Sequence, residues 1–452
     1  MESLLPIALI LSLMLLLFSG YPVALVLIGV SVVFSAIAIA LDLMTVQMLS
    51  LFPLRIIGTF SENLLYPAVP PLIFMGVALE KSGLARDLFV SIAHFLRNVP
   101  GGLMVAVLLL GVVLAPAAGL IGASVAMLAL AALPTMLDYG YGAKNATASI
   151  AAAGTAGIII PPGIMLFFLA DLLEVPIVGT FTGVLFPVGL LLLAYTAYFV
   201  VMALVQNDRT EISIEGLPGS LFDRGVFFAS KLVLPVVLIG VVLGSIVSGL
   251  ATPTQAGSIG AAGAFVLMAL NGSVTWGRMH EVVMETGMIT VMVFFVIVGA
   301  NAFSFIFRAL GGDDLLPNLL AVLSLGDWGS LMFILGVIFV LGFFIDWIEI
   351  VLITLPIFHP VIAGFDFSAH VGNPLLTRVW IAVAIAIVLQ TSFLTPPFGF
   401  ALFFLRGSAP PNVHMAEIYR GAVPLVAIQI TILAAVLLLP LLATEIPSML
   451  LD

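Results

Sequence analysis

The sequence predicts an all-α, polytopic membrane protein built from two inverted repeats, and three observations support this fold class. The 452 residues are 63% hydrophobic and 8% charged, with a mean hydropathy of +1.33, whereas about a quarter of the residues of a soluble protein are charged. Apolar stretches of about 20 residues, enough to span a bilayer, recur along the chain. Two such stretches, one in each half, contain the pairs Pro161-Pro162 and Pro396-Pro397.

The apolar stretches define the predicted spanning helices in chain order. Continuous spans are predicted near 3–18, 21–41, 63–80, 176–206, 231–249, 252–271, 282–307 and 422–443. Proline lacks an amide hydrogen and clashes with the preceding turn. The stretches at about 144–171 and 378–405, which hold the Pro-Pro pairs, are therefore predicted to be broken helices.

Two regions fit a re-entrant hairpin better than a pair of spans. Segments 103–115 and 124–136 form the arms of the first, at about 103–136, and 331–344 and 348–362 form those of the second, at about 331–362. Arms of ~13 residues would reach only about 20 Å across a core of ~30 Å. Segment 84–97 has leucine or isoleucine at every fourth position, which is typical of an amphipathic interfacial helix.

Paired dipeptides indicate an internal duplication. Leu-Pro at 5, Ser-Gly at 19, Leu-Pro at 133 and Pro-Pro at 161 recur in the same order and at similar spacing in the second half. The predicted domains are a first repeat, 1–206, a cytoplasmic linker, 207–230, and a second repeat, 231–452. Basic residues cluster at 81–97 and 209–231, which the positive-inside rule places in the cytoplasm. An odd number of spans per repeat then inverts the second repeat.

The Pro-Pro interruptions are the best candidates for a binding site. A break in each half of a membrane protein is the sequence signature of a secondary transporter site. At 154–163, freed carbonyls would face a cation and the following half-helix would direct its N-terminus at an anion. The alternative is a simple proline kink among small residues that serve helix packing.

Hydroxyl and carboxyl groups near the second break and the hairpin tips supply further candidate ligands. Thr391, Ser392 and Thr395 could ligate a hard cation, or simply bond to the preceding helical turn. At the first tip, Gly119, Gly122 and Ser124 either admit a ligand close to the backbone or reflect tight packing.

Asp346 and Glu349 lie at the predicted second tip. Each intramembrane carboxylate costs ~2.5–3.5 kcal/mol on insertion scales, so both need a partner. Asp346 either binds an ion or caps the following helix, and the two roles are compatible. Glu349 is interpreted as solvated or structural.

Several function classes are excluded or disfavoured. The chain has no cysteine, so thiolate metal sites are impossible, and no basic patch for nucleic acid occurs despite a net charge of −10. The first 19 residues lack a basic n-region, so they are predicted to be the first membrane helix and not a signal peptide. No Walker A, HExxH or nucleophile–base pattern is present.

These motifs together resemble the large membrane (M) subunit of tripartite ATP-independent periplasmic (TRAP) transporters over nearly the whole chain. The resemblance rests on 122–126 (Gly-Ala-Ser-Val-Ala), 154–162 ending in Ile-Pro-Pro, 251–254 (Ala-Thr-Pro-Thr), 342–357 around Asp346, and 394–399 (Leu-Thr-Pro-Pro-Phe-Gly). The Asp-Trp-Ile-Glu sequence at 346–349 is similar to a branch labelled for mannitol or chloroaromatic transport, which fixes no substrate.

The resemblance implies import of small organic acids across a bacterial or archaeal cytoplasmic (inner) membrane by an elevator motion. No cofactor is expected, and sodium is the expected coupling ion. The implied partners are a separate small four-helix membrane (Q) subunit and a periplasmic substrate-binding (P) protein. The implied substrate contacts are Ser124, Thr155, Pro162, Gly163, Thr395, Pro397 and Gly399. The implied cation ligands are Gly122, Ser124, Gly154, Gly157, Asp346, Thr391, Ser392 and Thr395.

The sequence departs from the family pattern at two positions, and two alternative functions are considered. Gly163 replaces a family-typical serine and Ala123 a frequent small polar residue, and both changes remove a possible hydroxyl ligand. A stand-alone ion-coupled carboxylate symporter of related architecture would have the same repeats but need no partner. An intramembrane enzyme would need a second acidic pair besides Asp346 and Glu349, and none is evident.

Overall fold

The computed structural model describes residues 4–118, 121–206, 231, 233–322 and 324–451. The predicted linker 207–230 and Gly119 therefore lie outside the described residues. All regular elements in the described ranges are helical, which confirms the all-α fold class. Seven of these helices are long and apolar enough to cross a membrane, or nine if each of two bent pairs counts as one span.

Among the described residues, twelve α-helices precede the linker and eleven follow it, and we number them in chain order. The first twelve are α1 (Leu5–Leu17), α2 (Val23–Ala40), α3 (Val46–Leu49), α4 (Leu51–Glu62), α5 (Val69–Lys81), α6 (Leu84–Phe95), α7 (Gly102–Ala118), α8 (Ile121–Asp138), α9 (Ala143–Ala156), α10 (Ile164–Leu172), α11 (Ile177–Gly183) and α12 (Leu185–Gln206).

Eleven helices follow the linker. They are α13 (Leu234–Val247), α14 (Pro253–Leu270), α15 (Trp276–Ala309), α16 (Gly312–Val322), α17 (Gly326–Leu341), α18 (Trp347–Ala363), α19 (Ser368–Val371), α20 (Pro374–Leu394), α21 (Phe400–Ser408), α22 (Met415–Leu438) and α23 (Leu441–Leu451). The order of hairpin, broken helix and long helix recurs in both halves. The inversion of the repeats stays a prediction.

The hairpin arms are longer than predicted. α7 and α8 have 17 and 18 residues, so each is about 26 Å long. The estimate of ~13 residues was wrong because α7 continues through Pro116 to Ala118, while α8 begins before the predicted residue 124, at Ile121, and ends after the predicted residue 136, at Asp138. A single proline removes one backbone hydrogen bond, and a helix packed on several sides tolerates that loss. α17 and α18 have 16 and 17 residues and are joined by a short tip, 342–346.

The predicted span 63–80 is only half of a bent pair. α3 and α4 precede α5, and the pair bends by 63° at the residues between Glu62 and Tyr66. The Asn63 side chain accepts hydrogen bonds from the amides of Leu65 and Tyr66 (2.8 and 3.3 Å), which starts the new helix direction. In the second half, α15 is one continuous helix of 34 residues, longer than the predicted 282–307.

Three further predictions need smaller corrections. The predicted span 176–206 is one apolar helical stretch, Ile177–Val205, in which a single turn at Val184 separates α11 from α12. The predicted span 422–443 begins earlier, as α22, and its helix ends before Pro440, after which α23 follows. The amphipathic segment forms α6, whose predicted apolar face is buried at Leu84, Leu88 and Ile92. That face packs against α7 and α8, so protein covers it.

The helices form two groups. We call α1, α2, α5, α13, α14 and α15 the frame bundle, because α5 packs on α14 and α2 on α15. We call α7–α10, α17, α18 and α20–α22 the hairpin bundle, since both hairpins and both broken helices pack on one another there. The groups meet where α5 contacts α7 and where α15 contacts α18. All the site residues predicted from the sequence belong to the hairpin bundle.

Close packing in the frame bundle depends on glycine at one crossing. A Cβ added to Gly299 of α15 would lie 3.0 Å from the Ala24 carbonyl oxygen and 3.1 Å from the Leu27 Cβ of α2. We expect Gly299→Leu to destabilise the protein by about 1–3 kcal/mol, as overpacking does. The thermal unfolding midpoint in detergent should fall by a few degrees.

Gly287 supplies the matched control, since it lies in the same helix and a Cβ there would meet nothing within 4 Å. Gly287→Leu should leave the midpoint unchanged or raise it through better helix propensity. Equal midpoints for the two variants would contradict the observed crossing of α2 and α15.

Candidate functional site

The first broken helix is interrupted inside the protein. α9 tightens into a 3-10 turn at Gly157–Ile159 and α10 begins at Ile164, with a bend of 44° between the two parts. The predicted residues Gly154, Thr155, Gly157, Pro162 and Gly163 are all buried. The interruption is therefore covered by protein, as backbone with unpaired groups requires within a membrane.

The two prolines leave a backbone oxygen of this break without its helical donor. The carbonyl of Ile158 would normally accept from the amide of residue 162, which is a proline. The Gly157 carbonyl instead accepts from the Ile160 amide at 3.3 Å. A Cβ on Gly163 would lie 2.5 Å from the Ile158 oxygen, so the backbone here has no room for the family-typical serine.

The second broken helix repeats this arrangement. α20 ends at Leu394, and α21 starts after Gly399, which has a left-handed φ of +51°. Pro397 deprives the Phe393 carbonyl of its helical donor, and a Cβ on Gly399 would lie 3.1 Å from that oxygen. The Tyr419 hydroxyl donates to the Pro397 carbonyl oxygen. Both Pro-Pro peptide bonds are cis.

The second break is less enclosed than the first. Thr391 and Ser392 are buried, Thr395 is half-buried, and Pro397 and the neighbouring Phe398 are exposed. Phe398 contacts Phe344 of the second tip, with ring centroids 4.8 Å apart.

The tip of the first hairpin contacts both breaks. A Cβ on Gly122 would lie 2.7 Å from the Phe404 ring of α21, which follows the second break. Val125, next to Ser124, packs directly on Gly154 of α9, which precedes the first break. Gly122 and Gly154 are therefore positions where only hydrogen fits.

The tip of the second hairpin makes the complementary contacts. Gly342 lies against the Ser392 side chain of α20, before the second break. The Trp347 ring lies 6.0 Å from the Phe168 ring of α10, after the first break. Each tip thus touches the helix before one break and the half-helix after the other, which brings together the predicted residues of both repeats.

The candidate hydroxyl ligands bond to the preceding turn. Thr155, Thr391, Ser392 and Thr395 donate to the carbonyls of Ala151, Ile387, Leu389 and Thr391, at 2.7–2.8 Å. The structure therefore shows the simpler of the two predicted alternatives, in which these hydroxyls bond to the preceding helical turn. A hydroxyl that donates its proton still has lone pairs, so these oxygens can also accept a cation.

Asp346 and Glu349 form a capping box at the start of α18. The Asp346 side chain accepts from the Trp347 amide at 2.7 Å, and the Glu349 carboxylate accepts from the Asp346 amide at 3.0 Å. The capping role predicted for Asp346 is confirmed, and Glu349 is structural. Ion binding by Asp346 stays a prediction.

Sequence reasoning missed three polar groups near the breaks. Two are the carbonyls of Ile158 and Phe393, which counting back four residues from each second proline would have identified. The third is Gln390, which precedes Thr391 and is 1% exposed. Within the described ranges, neither atom of its amide group has a hydrogen-bond partner, a costly state for a buried polar group.

The pattern of two hairpin tips on two interrupted helices agrees with comparisons to known proteins. A family model described as "Tripartite ATP-independent periplasmic transporter, DctM component" matches residues 10–442. This chain belongs to that family. The resemblance drawn from the sequence motifs is thereby confirmed.

Among the relatives are three permeases named for different substrates. The chain is 26% identical to the C4-dicarboxylate TRAP transporter large permease protein DctM of Pseudomonas aeruginosa, covering 86% of this chain and 87% of that one. It is 26% identical to the isethionate permease protein DctMQ of Oleidesulfovibrio alaskensis, over 81% and 55%. It is 24% identical to the ectoine/5-hydroxyectoine large permease protein UehC of Ruegeria pomeroyi, over 83% and 84%.

A solved structure shares the fold. The Alcanivorax borkumensis YdaH transporter, described as having an unusual topology, aligns with a TM-score of 0.60 and 15% identity. The alignment covers 96% of this chain and 98% of that one. At this level of identity the likeness concerns the fold alone.

Family membership establishes the general role of the chain. It is a multi-pass inner-membrane permease of a tripartite transport system, and its relatives are named as transporters, not enzymes. The alternative of an intramembrane enzyme is therefore wrong.

The contact between the second tip and the second break generates a prediction. We expect Gly342→Ala to displace Ser392 and to lower uptake by reconstituted vesicles by about tenfold, because a binding site tolerates only small displacements. Gly336→Ala is the control, since a Cβ at this α17 position would meet nothing within 4 Å. If both variants transport normally at equal protein density, the close contact has no role in transport.

Proposed function

We propose that this permease imports a small organic acid delivered by a soluble binding protein and is driven by a sodium gradient. The observation that carries the proposal is the contact of two hairpin tips with two interrupted helices, the first of which is buried at its break. Backbone carbonyls without helical donors are expensive in a membrane, and a bound cation would use them. Paired discontinuous helices are the usual site of secondary transporters.

The type of ligand at the breaks supports a hard monovalent cation. The carbonyls of Ile158 and Phe393 and the hydroxyls of Thr391, Ser392 and Thr395 are neutral oxygen donors, which hard cations prefer. No group of three or more His, Asp or Glu side chains suited to a metal occurs among the described residues. Sodium is the proposed ion on these grounds.

The division into two bundles supports an elevator mechanism. All the proposed binding residues lie in the hairpin bundle, which could carry them together past the frame bundle. Sodium would drive such a motion only if it binds the two end states with different affinity, since equal affinity shifts no equilibrium.

The relatives support the substrate class and the partners. They are named for C4-dicarboxylate, isethionate and ectoine, which suggests a small organic acid here. Because the family is that of a tripartite transporter, we infer that a small membrane subunit assembles with this chain.

Reconstitution tests the proposal directly. Vesicles containing the permease and its small subunit should accumulate labelled solute only when the soluble binding protein and an inward sodium gradient are both present. Uptake by this chain alone would instead establish the stand-alone symporter. Uptake driven equally by a proton gradient without sodium would refute sodium coupling.

Two hydroxyl deletions test the cation ligands. Ser124→Ala and Thr395→Ala should each raise the sodium concentration for half-maximal uptake by about tenfold, since a lost contact to an ion is worth ~1.4 kcal/mol or more. Thr431→Ala is the control, because Thr431 makes the same type of bond, to the Ala427 carbonyl at 2.8 Å, at an exposed position. A sodium dependence unchanged in all three variants would remove these residues from the site.

The function of the second break can be tested by substitutions that make the helix continuous. Replacing both Pro396 and Pro397 with alanine should restore the donor to Phe393 and impair uptake with little loss of folded protein. Pro424→Ala, within the continuous helix α22, should leave uptake unchanged. Normal uptake by the double variant would show that the interruption serves no function.

A further inference from the structure

A large polar cavity lies outside the site predicted from the sequence. It has a volume of about 880 Å³ and lies between the α4 arm, the second half of α15, the end of α10 and the second hairpin arm α18. Its walls therefore come from both the frame bundle and the hairpin bundle.

The cavity lies toward the membrane face opposite the linker. Lys231 directly follows the linker and pairs with Asp87 at 3.1 Å, and Asn271 bonds to the Ser82 carbonyl, so α5 ends on the linker face. Tyr66 lines the cavity and precedes the end of α5 by 15 residues, or about 22 Å. If the linker is cytoplasmic, as the positive-inside rule predicts, the cavity faces the periplasm.

Two arginines, Arg55 and Arg308, line the outer part of the cavity. The Arg55 guanidinium lies 4.8 Å from the centre of the Phe305 ring, and Arg308 is three residues further along the same face of α15. Within the described ranges, Arg55 has no ion pair with a carboxylate, and Arg308 has one long contact, 3.7 Å to Asp313. Unpaired charge at a membrane protein cavity is a functional-site signal.

Neutral polar groups and carboxylates line the part of the cavity that lies further from the outer membrane face than the arginines. Thr59 donates to Asn301 at 3.4 Å, which joins α4 to α15 below the arginines, and Ser304 lies one turn from Arg308. Asp171 accepts from Asn63 at 2.7 Å, and Glu62 lies two turns beyond Arg55. The cavity is thus polarised, with cationic groups outside and acidic groups inside.

We propose that this cavity is an outer receiving site, in which Arg55 and Arg308 bind the carboxylate of the incoming organic acid before it reaches the breaks. This inference rests on the proposed import function. Arginine suits the role because its planar guanidinium binds carboxylates in a bidentate manner. Leu352 of α18 lines the inner wall, six residues or about 9 Å along the helix from Asp346 at the second tip, so a short path leads inward.

The absence of cysteine from the sequence permits a direct test with charged thiol reagents. Ser304→Cys places one thiol beside both arginines, and its rates of reaction with anionic sulfonatoethyl and cationic trimethylammonioethyl methanethiosulfonate are measured in membranes that also contain the small subunit. Each rate is divided by the rate at which the same reagent reacts with free 2-mercaptoethanol. We expect this normalised rate to be higher for the anionic reagent than for the cationic one. Arg55→Gln or Arg308→Gln should each lower that preference by about three- to tenfold, and millimolar succinate should slow the anionic reaction.

Arg278→Gln in the same cysteine variant is the control, since Arg278 lies 26 residues or about 39 Å along α15, well beyond the Debye length of ~10 Å. It should leave both rates unchanged. Any of three results would refute the receiving site. They are a preference for the cationic reagent, rates that neither arginine substitution changes, and a thiol that the small subunit shields from the reagents. These readouts require no transport, so they are independent of whether sodium-driven uptake succeeds.

Discussion

The structure depends on covering peptide groups that proline leaves unpaired within the membrane. Pro161-Pro162 and Pro396-Pro397 remove amide donors from helices that cross the interior of the protein, and each missing partner costs several kcal/mol in hydrocarbon. The hairpin tips provide the cover. Each tip contacts the helix before one break and the half-helix after the other, so each hairpin packs on interrupted helices from both halves of the chain. Glycine at 122, 154 and 342 follows from the same need, since a side chain at any of these positions would hold a tip away from its helix.

Much of the fold could be predicted from local chemistry. The helix interruptions were predicted from the amide hydrogen that proline lacks, and most spanning helices were predicted from the lengths of the apolar stretches. The arm formed by α3 and α4 was missed because it is amphipathic and partly exposed, with Leu54 and Ile57 facing outward beside the polar Arg55 and Thr59. Such a helix has no 20-residue apolar signature. The bend after it had a local signal, Asn63 preceding Pro67, but a cap of this type also begins many straight helices.

The site could be predicted only in part, because its geometry is tertiary. Sequence reasoning named residues around each break, but it did not predict that Trp347 would meet Phe168 or that Gly122 would meet Phe404. It also presented back-bonding and ion binding as alternatives for Thr391 and Ser392. In the structure the two roles are compatible. Donation to a carbonyl fixes the hydroxyl hydrogen and directs the oxygen lone pairs away from the helix. Back-bonding therefore orients these oxygens without occupying them.

The distribution of charge suggests why a neutral inner site and a charged outer cavity would work together. An organic anion gains little from carbonyl oxygens, so it would enter the hairpin bundle most easily when a cation is already bound there. A permanent arginine at the breaks would remove this dependence, since the anion could then bind without sodium. Arg308 is instead on α15 of the frame bundle, and Arg55 is on α4, which packs against α15, so both could attract the anion without travelling with it. Under the proposed mechanism, coupling is preserved because these two arginines stay behind and the positive charge that pairs with the solute at the breaks is the bound cation.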